Sequence, residues 1–129
     1  MIGPEDEAAA YYASIGPWVT ARAVAENCDI SEQELLEWTG SQKVLGVEFA
    51  DGKYYYPAQQ FKDGGPLVGL DRILAVLSRG FKAPASQAGW FAGRAYVGMD
   101  VTRWDLLRLG DANLILEWAT ADAAWVNRP

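Results

Sequence analysis

The pair Asp51-Gly52, inside the stretch KVLGVEFADGKYYYPAQQF at residues 43–61, constrains the fold of this chain more than any other feature. Apolar and aromatic runs flank it. Asp-Gly between β-prone runs signals a hairpin, because the favoured two-residue turn needs positive φ at both central positions. Side chains alternate across a strand, so one or two of Tyr54, Tyr55 and Tyr56 pack inward and the other faces solvent. A hairpin from Val44 to Tyr56 in an otherwise helical chain is either the wing of a DNA-binding module or a lid on a small core.

The flanking segments favour the wing. EDEAAAYYAS predicts a first helix that Gly16-Pro17 stops. Trp18-Val19 leads into TARAVAEN, where Thr20 can cap and Ala21, Val24 and Ala25 form an apolar face. After the turn Asp29-Ile30-Ser31, Ser31 and Glu34 make a capping box for SEQELLEWTG. Leu35, Leu36 and Trp38 of that helix are expected to face inward, and Gly40 ends it. Two short helices across a tight turn fit a helix-turn-helix, and the hairpin follows at once. Lys62-Asp63-Gly64-Gly65-Pro66 combines turn formers without periodicity, which places a boundary between a lobe at 1–62 and a helical lobe at 63–129. In the second lobe, LVGLDRILAVLSRG reads as a helix with Gly80 at its C-cap. Pro84 and Ser86 open a short helix through Trp90-Phe91, and Asp100 or Thr102 caps another through Leu109. Asp111 caps ANLILEWATADAAWV, with Leu114, Trp118, Ala121 and Trp125 on one face. The expected fold is mainly α with one small β-hairpin: a winged helix-turn-helix-like lobe followed by an α-helical lobe.

Composition removes several kinds of chemistry. The chain has no histidine and a single cysteine, Cys28, which excludes an intramolecular disulfide, a multi-cysteine or histidine zinc site, and histidine acid–base catalysis. Asp100 and Asp105 show no more than helix-capping spacing. The inventory implies a protein that is not an enzyme and uses no metal or cofactor. The N-terminus, MIGPEDEAAA, is acidic and lacks the positive region of a signal peptide, and no segment has the ~18 apolar residues of a membrane span. A cytoplasmic protein is expected. The net charge of −6 is uneven: residues 1–51 hold ten acidic and two basic side chains, −8, and the remainder carries +2. Such asymmetry suggests different partners for the two halves.

The C-terminal residues Trp90-Phe91, Val97-Gly98, Asp105-Leu106-Leu107-Arg108-Leu109-Gly110-Asp111 and Leu114 to Ala119 resemble the toxin-binding domain of Xre/MbcA/ParS-like antitoxins. Val44-Leu45-Gly46-Val47 and Tyr55-Tyr56-Pro57-Ala58-Gln59-Gln60-Phe61 are similar to the hairpin that follows a helix-turn-helix in some of these proteins. The resemblance spans about residues 18–125. It implies an antitoxin whose partner is a cognate protein toxin, typically a RES-domain enzyme that consumes NAD. C-terminal residues of the antitoxin would occlude the toxin's active site, the protein would form a homo-oligomer, and many members bind their own promoter. Where the family carries a proline before the paired leucines, this chain has Arg103, and Thr102 can cap the helix instead.

The candidate toxin-binding residues are Trp90, Phe91, Arg94, Arg103, Trp104, Arg108, Trp118, Trp125 and Arg128. Apolar periodicity reports burial first, so Trp90 and Leu107 suit a core better than a contact surface, and most of the scattered arginines suit a solvated face. Trp125, close to the end of the chain, is the best candidate for an exposed anchor. The candidate DNA contacts are Arg22, Gln33, Gln42, Lys43 and Lys53. Duplex DNA is bound largely through lysine and arginine displacing counterions, and the helix carrying Glu32, Glu34 and Glu37 lacks them. The hairpin is therefore expected to join the lobes rather than to touch phosphate. The alternatives to an antitoxin are a winged-helix regulator and an oligomeric scaffold.

Overall fold

The computed structural model describes residues 4–127. Helix α1 (Pro4–Ser14) leads to strand β1 (Trp18–Thr20), helix α2 (Ala21–Cys28) and helix α3 (Glu32–Gly40). Strands β2 (Val47–Glu48) and β3 (Tyr54–Pro57) follow, then a 3-10 turn at Ala58–Gln60 and a second hairpin of β4 (Phe61–Lys62) and β5 (Gly65–Pro66). Four helices complete the chain: α4 (Leu70–Leu77), α5 (Pro84–Ala92), α6 (Arg103–Arg108) and α7 (Ala112–Val126). The fold is mainly α with a small antiparallel sheet, in the winged helix-turn-helix-like order expected.

The side-chain caps explain where the helices start. Thr20 Oγ1 accepts from Ala23 N at 3.1 Å and Ser31 Oγ from Glu34 N at 3.0 Å, each satisfying a donor that has no partner within its helix. The reciprocal capping box lies elsewhere. Thr102 and Asp105 exchange both bonds at the start of α6, whereas Glu34 returns none to Ser31. Asp111 occupies the N-cap position of α7 without a side-chain bond. Pro84 stands in the first turn of α5, where its missing N–H leaves nothing unsatisfied.

Two features of the β structure depart from expectation. Trp18–Thr20 is a strand rather than a lead-in: it pairs with β3, making the sheet order β1-β3-β2. The Lys62–Pro66 segment is itself a hairpin, with Asp63 (φ 55) and Gly64 (φ 79) both left-handed between the paired residues Lys62 and Gly65. That is the two-residue geometry expected at Asp51-Gly52. There, by contrast, Gly52 N donates to Phe49 O at 2.9 Å and Phe49 N to Lys53 O at 2.9 Å, and of the pair Asp51-Gly52 only Gly52 (φ 78) is left-handed. The loop is three residues long with glycine at its last position, the other common hairpin closure.

The larger core joins Ile15, Leu45 and Val47 to Leu70, Ile73, Phe91, Trp104 and Ile115. A smaller core holds Val24, Leu35, Val44, Tyr56 and Phe61. The two halves of the chain thus share the larger core, and the 62/63 boundary falls in a tight turn. Gln60, fully buried between the cores, accepts from Leu45 N (2.7 Å) and donates to Leu45 O (2.8 Å) and Pro57 O (3.1 Å). Its amide closes the backbone of a segment that no strand pairs, as burial requires.

Helix phases also differ from the sequence reading. Leu36 is 48% exposed while Leu35 is fully buried. On α7 the buried row is Ile115, Ala119 and Ala123, one residue away from the expected row of Leu114, Trp118, Ala121 and Trp125. The reason is close packing. A Cβ on Gly80 would lie 2.7 Å from Ala123 Cα, so α7 meets the end of α4 through its smallest side chains.

Candidate functional site

The second half of the chain uses its aromatic residues mostly for packing. Phe91 lies flat on Trp104, with ring centroids 4.0 Å apart and planes 13° apart, and Trp90 meets Phe91 edge-on at 5.2 Å. All three are buried, so as contact residues for a partner they are corrected to core residues. Trp90 keeps its polar edge satisfied by donating Nε1–H to Asp122 Oδ2 at 2.8 Å. Trp104 Nε1 is buried and has no acceptor.

The arginines divide in the same way. Arg108 donates from Nη1 to Gln59 O (3.0 Å) and Phe61 O (2.7 Å), tying α6 to the segment after the wing. Lys62 Nζ reinforces the joint by donating to Arg108 O at 3.0 Å. Arg103 is half-buried over the Trp90 ring, 4.6 Å from its centroid, and donates to Trp90 O at 2.6 Å. Burial lowers its pKa, and the nearby Asp122 carboxylate offsets part of that. Arg94 is exposed and pairs with Asp100 at 3.4 Å. Arg128 lies outside the described residues.

Several apolar side chains that do reach the surface cluster at the 94–102 loop and at the end of α7. Between α5 and α6 the chain makes a narrow hairpin loop: Arg94 bridges Thr102, and Ala95 N donates to Val101 O at 2.7 Å. Gly98, with φ 78, turns its tip, and Tyr96, Val97 and Met99 are exposed there, Val97 completely. Tyr96 stands edge-on against Trp118 at 5.7 Å. Along α7, Leu114, Trp118, Ala121 and Trp125 form the row beside the buried one, and Trp125 is 68% exposed. Periodicity found this row but not the side it faces. Of the exposed loop residues, Val97 was signalled by the Val97-Gly98 motif, and Tyr96 and Met99 only by the turn former between them.

The N-terminal face is different in chemistry. A groove of about 470 Å³ lies between α2, α3 and the first hairpin, lined by Arg22, Glu32, Leu36, Lys53 and Tyr54 among others. Arg22 is already paired with Glu26 at 3.1 Å. Lys43 lies over the Trp38 ring at 4.4 Å, and Gln42 takes the left-handed turn after α3 (φ 63), which leaves it half-buried. Gln33 is exposed among Glu32, Glu34 and Glu37. At the hairpin tip Asp51 accepts from Tyr55 Oη at 2.7 Å and from Lys53 N at 2.9 Å, which lowers its pKa and raises that of Tyr55. Of the proposed DNA contacts, Arg22 and Lys53 share the groove, whereas Lys43, Gln42 and Gln33 lie outside its lining. Burial raises the Cys28 thiol, against a smaller lowering by Asn27. No helix among the described residues is long and apolar enough to cross a membrane.

No protein-family model and no curated protein matches the chain. Among solved structures, the NMR structure of Rv2175c is similar, with a TM-score of 0.69 over 84% of this chain and 82% of that one. At 18% identity the likeness is one of fold.

Proposed function

We propose that this chain is an antitoxin-like binding protein that neutralises a cognate protein toxin, in the RES-domain class, through its C-terminal half. The observation that carries the reading is the exposed Trp125 at the end of α7, together with the loop that exposes Tyr96, Val97 and Met99 and meets α7 at the half-buried Trp118. An exposed tryptophan suits an interface anchor, because large aromatic side chains dominate binding energy where they become buried. Of the expected toxin contacts, Arg94, Trp118 and Trp125 lie on this surface. Trp90, Phe91 and Trp104 belong to the core behind it, and Arg108 is engaged with Gln59 and Phe61. A cytoplasmic site of action follows from this reading.

Co-expression with the product of the neighbouring open reading frame tests it. The expected result is that the neighbour is toxic alone and that the two proteins co-purify, with Trp125→Ala weakening the complex about tenfold. A harmless neighbour that does not co-purify sinks the reading. The winged arrangement supports a second one, a transcriptional regulator whose Arg22 and Lys53 approach DNA from the groove. That reading expects a promoter shift that weakens steeply with salt, and no shift at low salt removes it.

A further inference from the structure

Arg103 occupies a position that helix α6 does not explain. It is the first residue of the helix, where the helix dipole disfavours a cation. The N-terminus is already closed by Thr102 and Asp105. The guanidinium is half-buried, and its Nε is buried without an acceptor, an arrangement that opposes folding unless something else is gained. Its polar contacts lie at the end of α5, where the 94–102 loop begins. Its Nη1 donates to Trp90 O, its Cζ lies over the Trp90 ring, and its own backbone N–H donates to Gly93 O at 3.1 Å. Gly93 leaves the necessary room, since a Cβ there would lie 2.6 Å from Arg103 Nη1. Asp122 accepts from the Trp90 indole at 2.8 Å and its charge also acts on Arg103, so α7 is part of the same cluster.

We infer that Arg103 is a positioning residue for partner binding: wedged between Gly93 and the Trp90 ring, it fixes the 94–102 loop so that Val97 and Met99 form a preformed apolar knob for a recess in the protein partner. This rests on the binding reading above. The knob reaches α7 through the edge-on contact of Tyr96 with the half-buried Trp118. Arg94 and Asp100 form a solvent-exposed ion pair beside the knob, a polar rim around an apolar centre of the kind protein interfaces have. Presetting the loop lowers the ordering cost of association.

The test compares wild type with Arg103→Met, Arg103→Lys and Val97→Asp by three measurements: thermal unfolding, amide NMR shifts over residues 94–102, and affinity for the purified product of the neighbouring open reading frame. Arg103→Met is expected to unfold cooperatively, to displace the loop amides, and to weaken binding about tenfold, with Arg103→Lys recovering part of the loss. Val97→Asp is expected to weaken binding as much while leaving the unfolding midpoint in place. Unchanged loop amides in Arg103→Met overturn the inference, as do displaced amides with unchanged affinity. If Arg103→Met does not fold, Gly93→Ala, which crowds the guanidinium, is read by the same criteria. Sedimentation is run in parallel: if Val97→Asp abolishes only self-association, the knob serves a second copy and the inference fails. If wild type does not bind the neighbouring protein at all, the binding reading fails by itself, and the loop amides still decide whether Arg103 positions the loop.

Discussion

The two cores of this molecule are separated by one hairpin, and they are built differently. The smaller core is drawn from Val24 to Phe61, from elements consecutive in the chain. The larger one takes Ile15, Leu45 and Val47 from the first half and combines them with side chains from Leu67 to Ala119. The wall between them is the first hairpin. Leu45, Val47 and Phe49 face the larger core, while Tyr54 and Tyr56 face the smaller. An element in the position of a wing therefore also acts as a partition, and it cannot be removed without exposing both cores. Gln60 closes the wall at its end with three hydrogen bonds to backbone.

The largest effect is expected in the larger core. Trp104→Ala removes the ring stacked on Phe91 and should cost about 3–5 kcal/mol. Because that core spans both halves, far-UV and near-UV circular dichroism should report a single transition at lower temperature; two separate transitions would break the contrast. Gln60→Leu is next, at roughly 2–3 kcal/mol, since it orphans the N–H and C=O of buried Leu45. Faster amide exchange at Leu45 checks it. Gly80→Ala should lower stability by roughly 1–3 kcal/mol by pushing α7 off α4, read as a drop in the denaturation midpoint.

The smallest expected effect belongs to the smaller core. Tyr56→Phe loses the 2.8 Å bond to Thr39 Oγ1 and should cost about 1 kcal/mol near neutral pH. Burial raises the Tyr56 phenol above its ordinary range, an effect that the Thr39 bond only partly opposes. The folded phenol thus stays protonated where the unfolded one ionises, near pH ~10, so its contribution is complete below that pH and is lost as pH rises further. Tyr56→Phe should accordingly show a shallower loss of stability between neutral and strongly alkaline pH than wild type. An identical slope in urea titrations would exclude Tyr56 as the group responsible.

Much of the fold was legible in the residues. Thr20, Ser31, Thr102 and Pro84 act on the next turn of backbone, and their placement predicted four helix starts. Strand β1 was not legible, because Trp18-Val19-Thr20 is too short to alternate; it exists because β3 offers it a free edge. The candidate site was legible as a set of residue types, yet its side was not. Helix α7 is apolar on nearly every face, so periodicity cannot choose which row is buried, and the Gly80–Ala123 approach makes that choice. The same limit explains the two Asp-Gly pairs. Asp63-Gly64 and Asp51-Gly52 are identical dipeptides, but the first closes a two-residue turn and the second lies in a three-residue loop, because the pairing of the flanking strands sets the loop length.

By itself, the sequence determined the order of the helices and the first hairpin, most of the helix starts, the acidic face of α3 and the absence of histidine chemistry. These depend on backbone chemistry within one turn or on simple counts. Only the tertiary structure decided that Trp90, Phe91 and Trp104 lie inside, that Trp118 is half-buried while Trp125 is exposed, and that Arg103 meets Trp90 and Gly93. Which face a side chain takes depends on the shape of the neighbour it meets, and that neighbour is supplied by residues far away in the chain.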